Sequence, residues 1–184
     1  MSQFKQLYVL LITLLGISTF GYSQTTSHKT TVYIVRHAEK NTTDPKNPDP
    51  ELSMEGEKRV KSLAAKVKRE KIAAVFSTKF KRTVQTGSLV AQKNKLNIEL
   101  YNPANPKALA EMVKRKYKGQ KVLIVGHSNT VLELVEAFGV SRPLSALTDD
   151  DYDFLFKIDI DQWGLATLVT QNYGKPHHTS VIPK

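Results

Sequence analysis

Short apolar runs recur along the chain after residue 29 and predict β-strands. Each is rich in β-branched, aromatic or other apolar residues, which is the composition of a buried strand. Four of these predicted strands span residues 30–35, 73–76, 96–100 and 121–125. Two later runs, 152–158 and 165–170, flank a polar segment that contains Gly164, and they predict an antiparallel hairpin.

Between the apolar runs, hydrophobic residues recur every three or four positions, which is the period of an amphipathic helix. In the first such segment Val60, Leu63 and Val67 form one apolar stripe, and Ser53 precedes it as a capping residue. Further helices are predicted over residues 79–93, from Pro106, and after a capping Ser128. The order βαβαβαβα followed by ββ predicts an α/β fold, a three-layer α/β/α sandwich with a mostly parallel central sheet and antiparallel additions.

The first 23 residues have a different pattern from the rest. Residues 7–17 are apolar apart from Thr13 and follow Lys5, while Gly21 and Ser23 have the spacing of a cleavage site. We therefore expect a signal peptide at residues 1–23, a single domain at residues 24–184, and a periplasmic or secreted location. An uncleaved membrane anchor is the alternative, and a membrane partner is expected only in that case.

Composition narrows the class of protein. The 184 residues suit one domain, and the absence of cysteine excludes a disulfide scaffold, a zinc ribbon and a thiol nucleophile. The net charge of +10 favours an acidic partner, which includes phosphorylated substrates, nucleic acids and anionic membranes. Charge alone does not choose among these partners, and nothing in the sequence indicates the oligomeric state.

Two predicted strands run directly into a histidine. Arg36 and His37 follow the first strand, His127 follows the fourth, and Arg82 lies just after the second. Because ligands bind beyond the carboxyl ends of such strands, these side chains are expected to converge. A neutral imidazole is a good nucleophile toward phosphorus, and arginines neutralise phosphate charge. The sequence therefore indicates phosphoryl transfer, with no cofactor and no metal, because the arginines supply the positive charge.

Four segments resemble motifs of the histidine phosphatase superfamily, in the order that the family has them. They are the R-H-A-E run at residues 36–39, the L-S-M-E-G run at 52–56, the stretch from Ser77 to Thr86 around Arg82, and the G-H-S-N turn at 126–129. The resemblance covers most of the chain after residue 30. It implies His37 as nucleophile, with Arg36, Arg82 and His127 completing a phosphate pocket. Ser128 is a further candidate for binding phosphate.

The chain departs from the mutases of this superfamily in two respects. Only 45 positions separate Arg82 from His127, which leaves no room for the mutases' lid-bearing insertion and favours the short, phosphohistidine-phosphatase-like type. Asn102 stands near the place where mutase-like members carry a glutamate general acid. Glu39, two residues from His37, is our candidate acid; alternatively, it orients Lys40 or Arg82. Weaker candidates are Glu99 and the aspartates at 149–151.

Three functional hypotheses remain at this point. The leading one is an exported phosphomonoesterase that hydrolyses a small phosphorylated substrate through a phosphohistidine on His37. The second is a catalytically weak phosphate-binding protein with the same pocket. The third is a nucleic-acid binder, which rests on net charge alone since no binding motif is present, so no nucleic-acid partner is expected. The sequence does not identify the natural substrate.

Overall fold

The computed structural model describes residues 29–182, so the expected signal peptide lies outside the described residues. Six strands are present: β1 (Thr30–Arg36), β2 (Ala74–Ser77), β3 (Ile98–Leu100), β4 (Lys121–Gly126), β5 (Phe154–Ile160) and β6 (Ala166–Asn172). Four α-helices connect them: α1 (Met54–Lys66), α2 (Lys81–Lys93), α3 (Pro106–Lys116) and α4 (Val131–Ala137). No helix within residues 29–182 is long and apolar enough to cross a membrane.

The strands form one sheet in the order β3-β2-β4-β1-β5-β6. Strands β1 to β4 run parallel, β5 pairs antiparallel with β1, and β6 pairs antiparallel with β5. The predicted α/β fold with a mostly parallel sheet and an antiparallel addition is therefore confirmed. Strands β4 and β1 lie at its centre, and both carry a histidine just beyond their carboxyl ends.

Helices cover both faces of the sheet because successive strand residues point to opposite sides. Val32 and Ile34 of β1 pack in one core cluster with Val113 of α3 and Leu134 of α4. On the other face, Tyr33 and Val35 of β1 pack with residues of α1 and α2, namely Leu63, Ala64, Val90 and Ala91. The result is the predicted three-layer sandwich, and its two cores fix the strand ends from which the site is built.

Of the three helix starts predicted from a capping residue or a proline, two are confirmed, and the helix predicted from residue 79 begins at Lys81. The hydroxyl of Ser53 accepts a hydrogen bond from the Gly56 N–H at 3.2 Å, and Pro106 stands in the first turn of α3. The prediction that Ser128 caps the next helix is wrong, because α4 begins at Val131 without a side-chain cap. The hydroxyl of Thr130 instead accepts the His127 N–H at 3.0 Å, so this turn positions the backbone of His127 and does not cap the helix.

Candidate active site

A cleft of about 360 Å³ opens where the carboxyl ends of β1, β2 and β4 meet. Five predicted residues line it: Arg36, His37, Arg82, His127 and Ser128. The structure therefore brings these five side chains together from three separate parts of the chain. Its lining also includes Lys40, Phe80 and Asp149.

His37 is held as a neutral ring with one nitrogen free. Its Nδ1 lies 2.8 Å from the carbonyl oxygen of Ala38, to which it donates, so the lone pair of the neutral ring is on Nε2. Burial, together with the charges of Arg36, His127 and Arg82, lowers the pKa of His37 to about 3 against the opposing effect of the Ala38 hydrogen bond. At neutral pH the ring is therefore uncharged, which is the state in which an imidazole can act as a nucleophile.

Arg36 is buried and tightly positioned, yet one of its donors is unused. Its Nη1 donates to the carbonyl oxygens of Thr148 at 2.7 Å and Asp149 at 3.1 Å, and its guanidinium lies 4.0 Å from the centre of the Tyr152 ring. Its Nε is buried without a hydrogen-bond partner among the described residues. Unsatisfied buried donors are rare in native proteins, and this one belongs to a residue that lines the cleft.

Arg82 and His127 also line the cleft, and both contact the Phe80 ring. The Arg82 guanidinium lies 4.5 Å from the centre of the Phe80 ring, and its Nη1 is 3.7 Å from the Asp49 carboxylate. The His127 ring lies 5.4 Å from the His37 ring. Burial, with the charges of Arg82 and Arg36, lowers the pKa of His127 to about 4. Both histidines are thus neutral in the empty cleft at neutral pH.

A chain of hydroxyl groups fixes the tautomer of His127. The Nε2 atom of His127 lies 3.0 Å from the Thr78 hydroxyl. The Thr78 hydroxyl lies 2.8 Å from the Thr83 hydroxyl, and the Thr83 hydroxyl donates to the Phe80 carbonyl oxygen at 2.7 Å. Each hydroxyl has one proton, so all three contacts are satisfied together when His127 Nε2–H donates to Thr78. Nδ1 is then the nitrogen left for a ligand.

Backbone contacts explain why the segment at residues 52–56 has its motif. A Cβ on Gly56 would lie 2.2 Å from the carbonyl oxygen of Glu39, so no other residue allows α1 to approach this closely. The same oxygen accepts the Ser53 N–H at 2.9 Å. Thr86 supports this loop from α2 by accepting the Ala38 N–H at 2.9 Å. These residues hold the nucleophile loop and do not line the cleft.

The structure does not bring Glu39 into the cleft. Its carboxylate accepts from Nε of Arg59 at 2.9 Å, from Nη2 of Arg59 at 2.7 Å, and from Nδ1 of His177 at 2.8 Å. Burial raises the pKa of Glu39, but the hydrogen bonds from Arg59 and His177 outweigh burial and lower it. An ionised carboxylate with these partners has no proton to give, and its partner is neither Lys40 nor Arg82.

The other candidate acids lie in different surroundings. Glu99 accepts from the Tyr117 hydroxyl and from Lys116, away from the cleft. Asp151 is buried, and its carboxylate accepts from Thr179 N–H and from the N–H and hydroxyl of Ser180. Among the residues that line the cleft, Asp149 supplies the sole carboxylate, and its side chain is fully exposed.

Several residues of the site carried no sequence signal. Tyr152 stacks under Arg36 from 116 positions away, and Phe80 lies against His127 and Arg82 although it resembles an ordinary loop residue. His177 and His178, which look like tail residues, instead bind the carboxylates of Glu39 and Asp153. Within residues 29–182 no group of three or more candidate metal ligands occurs.

Comparison with known proteins gives one family match and several structural relatives. The sequence matches the family model of the histidine phosphatase superfamily (branch 1) over residues 32–102, which includes Arg36, His37 and Arg82. No curated protein matches the sequence.

Three solved structures share the fold. The protein histidine phosphatase SixA complexed with tungstate has a TM-score of 0.60 at 18% identity, covering 77% of this chain and 96% of that one. A mycobacterial glucosyl-3-phosphoglycerate phosphatase has a TM-score of 0.63 at 11% identity, covering 79% and 100%. A phosphoglycerate mutase from Bacillus anthracis has a TM-score of 0.54 at 16% identity, covering 79% and 94%.

The sequence match, the order of the motifs and the shared fold agree with one another. The family match covers the first three of the four motifs, and the fold brings the fourth, with His127, to the same cleft. Over residues 32–102 the chain therefore resembles the histidine phosphatase superfamily, and residues 29–182 have the fold of the phosphatases and the mutase named above.

Proposed function

We propose that the protein is an exported phosphomonoesterase that cleaves a small phosphorylated substrate through a phosphohistidine on His37. The observation that carries this proposal is the pairing of a buried, neutral His37, whose Nε2 is free, with a buried Arg36 Nε that has no acceptor. A phosphate group bound between them would accept a hydrogen bond from Arg36 Nε through an oxygen, and its phosphorus would be attacked by His37 Nε2. A relative of the same fold binds tungstate, a tetrahedral oxyanion, which supports this choice of ligand class.

The residues of the cleft divide the work of binding. The phosphate accepts from Arg36 Nε and from the Arg82 guanidinium, and the two charges offset those of the phosphate dianion. Ser128 contributes a hydroxyl at the rim. His127 donates through Nδ1, which requires a second proton because Nε2–H is committed to Thr78. Substrate binding is therefore coupled to uptake of one proton by His127.

The reaction proceeds in two displacements at phosphorus. In the first, His37 Nε2 forms a bond to phosphorus while the bond to the leaving-group oxygen breaks, and that oxygen takes a proton from solvent. In the second, a water oxygen attacks phosphorus, the bond to Nε2 breaks, and the water proton leaves to solvent. The products are the alcohol and inorganic phosphate. Arg36, Arg82 and the protonated His127 stabilise the charge on the equatorial oxygens in both steps.

The position of Glu39 affects substrate preference. With Glu39 bound to Arg59, no carboxyl group inside the cleft is shielded from solvent, since Asp149 is fully exposed. We assign the leaving-group proton to solvent, and substrates with good leaving groups are then favoured. For substrates with poor leaving groups, the alternative hypothesis is that the protein binds the phosphate group with little turnover.

The test is hydrolysis of an aryl phosphate by the purified chain that begins at Gln24. We expect turnover, retained in excess chelator because the cleft supplies its own positive charge. Tight binding of inorganic phosphate without turnover would favour the phosphate-binding protein. Loss of activity in chelator, restored by a divalent metal, would contradict the proposed chemistry.

Residues 1–23 support the export part of the proposal, which needs its own test. After expression of the full chain in a bacterial host with an outer membrane, we expect the protein in the periplasmic fraction with Gln24 at its N-terminus. Recovery in the membrane fraction with Met1 retained would favour the uncleaved anchor instead.

A further inference from the structure

The end of the sheet opposite the cleft is strongly basic. At this end β1 to β4 begin and α1 to α3 finish, so the lysines and arginines that precede strands and follow helices lie together there. Lys29 precedes β1, Lys71 and Lys95 occupy turns before β2 and β3, and Lys118 lies in the turn before β4. We call this surface, from residues 66–71, 93–95 and 114–121 with Lys29, the basic pole.

The acidic residues of the basic pole do not neutralise it. Glu70 pairs with Lys121 at 2.6 Å, Glu99 with Lys116 at 3.4 Å, and Asp159 with Lys29 at 2.7 Å. Within residues 29–182, eight cations of the pole have no carboxylate partner: Lys66, Lys68, Arg69, Lys71, Lys93, Lys95, Arg115 and Lys118. The pole therefore carries a concentrated positive charge.

An exposed apolar hairpin tip lies beside the basic pole. Ile160 at the end of β5 pairs with Thr30 at the start of β1, so the turn between β5 and β6 projects at the same end of the sheet. At this tip Trp163 is 82% exposed and Leu165 is 68% exposed. Strands are spaced about 4.8 Å apart, which places the end of β5 about 10 Å from the start of β4 across β1.

Hydrogen bonds within the turn hold the conformation of the tip. The Asp161 carboxylate accepts the N–H groups of Trp163 and Leu165, each at 2.9 Å. Gly164 between them has a φ of 90°, in the left-handed region that glycine favours. Two large apolar side chains are thus held in water on a rigid turn, where they gain nothing from the core of this chain.

The described part of the chain begins at the same end of the molecule. Lys29 leads directly into β1, and the apolar run at residues 7–17 lies only twelve positions before Lys29. With residues 7–17 in a bilayer, as the export proposed above implies, the bilayer is close to this end of the fold. Tryptophan favours the interface between water and lipid, and clustered lysines are attracted to anionic headgroups.

From these three observations we propose that the basic pole and the Trp163–Leu165 tip dock the folded protein on an anionic lipid surface. The cleft lies at the opposite ends of the strands and so faces solution, open to soluble phosphorylated substrates. The lysines attract the headgroups, and the two apolar side chains enter the interface. A nucleic acid would also bind the positive charge, but the exposed aliphatic side chain of Leu165 beside the tryptophan suits a lipid interface better. Lipid is therefore the favoured occupant.

The chain offers its own reporter, since Trp163 is its one tryptophan. The protein beginning at Gln24 is used, because residues 29–182 contain the whole sheet and both cores and the apolar run would itself bind lipid. With vesicles of phosphatidylglycerol and phosphatidylcholine we expect a blue-shifted Trp163 emission, quenching by brominated acyl chains, and binding at least tenfold stronger than to phosphatidylcholine alone. Added salt should weaken the binding.

Matched variants separate the pole from general charge. We expect Lys68→Glu with Lys118→Glu to weaken vesicle binding at least tenfold, and Lys46→Glu with Lys107→Glu, an equal charge change elsewhere on the surface, to weaken it less than threefold. Leu165→Ser should reduce the blue shift. Circular dichroism confirms that each variant is folded.

Three results would overturn the proposal. They are an unshifted and unquenched Trp163 with anionic vesicles, equal loss of binding in both charge variants, and retention of single-stranded DNA without vesicle binding.

Discussion

Two neighbouring regions contain the same residue types in opposite states. In the cleft, Arg36 and His37 each keep one nitrogen without a partner among residues 29–182, Nε in the first and Nε2 in the second. In the second region, Arg59 donates to Glu39, to the Tyr173 carbonyl oxygen and to the Lys175 carbonyl oxygen. The first region is prepared for a ligand, while in the second each guanidinium nitrogen of Arg59 already has an acceptor. Unsatisfied hydrogen-bonding capacity, rather than residue type, distinguishes the site from the scaffold.

The difference has consequences for energetics. Removing one partner of a buried ion pair typically costs about 3–5 kcal/mol of stability, because the other charge is left buried and unpaired. Removing a group whose partner is the substrate costs activity, with little loss of stability. Substitutions in the two regions should therefore have opposite effects on activity and on unfolding.

The largest effect is expected from His37→Ala. Without the nucleophile, kcat/KM for an aryl phosphate should fall by at least about 10³-fold, since the covalent route is closed. The thermal unfolding midpoint should change little, because the substitution removes a ring whose outer nitrogen has no partner. His178→Ala is the matched control, since His178 binds Asp153 outside the cleft, and it should retain activity. Activity of His37→Ala within tenfold of the original protein would argue against the covalent mechanism.

The next largest effect compares the same substitution in both regions. Arg36→Lys keeps the charge but removes the free Nε donor, so kcat/KM should fall by about 10²–10³-fold. Arg59→Lys loses the two-point contact with Glu39 and should lower the unfolding midpoint while kcat/KM changes less than threefold. Steady-state kinetics and thermal unfolding on both variants measure the contrast. If both variants lose activity equally, the two regions are not functionally separate.

Glu39→Gln tests the scaffold assignment of that residue. Because the carboxylate pairs with Arg59 and His177, the amide should lower the free energy of unfolding by roughly 3 kcal/mol. The kcat/KM values for one alkyl and one aryl phosphate should change together. A general acid contributes about 10²–10⁴-fold, and its loss harms alkyl esters most. A fall in kcat/KM for the alkyl phosphate alone would therefore identify Glu39 as the general acid.

The smallest effect concerns protonation. Histidine usually titrates near pH 6.5, so rings with pKa values of about 3 and 4 should stay neutral well below that pH. NMR of the ring resonances should show His37 and His127 uncharged at pH 5. Between pH 6.5 and 3 the unfolded chain binds more protons than the folded one, so stability is lost as pH falls through this window. Adding phosphate should raise the pKa of His127, and a ring titrating near 6.5 without phosphate would contradict the account.

The features predicted from sequence are those that local pattern determines. The runs around Val32 and Leu123 are buried strands because their composition leaves no other stable placement, and a histidine after each strand then falls at the same edge of the sheet. The motifs around Gly56 and Arg82 are short continuous segments, so their residues stay near one another in the fold. The convergence of Arg36, His37, Arg82 and His127 on one cleft could therefore be predicted without a structure.

The features that sequence analysis missed depend on distant contacts. Glu39 meets Arg59 from 20 positions away and His177 from 138, and neither partner stands out in the sequence. An arginine on an amphipathic helix is usually solvated, and a C-terminal segment without periodicity gives no sign that it packs. The proximity of Glu39 to His37 in the sequence therefore suggested an acid, whereas tertiary packing had already engaged its carboxylate.

The most direct test of the central claim is to trap the phosphoryl group on the chain. Mixing the protein with a radiolabelled aryl phosphate and quenching within milliseconds should leave label that is stable in base and labile in acid, as expected for a phosphoramidate. Peptide mapping should place it on His37, and His37→Ala should carry none. Label that is stable in acid, label that persists in His37→Ala, or turnover with no trapped label and no burst of product would contradict the covalent mechanism.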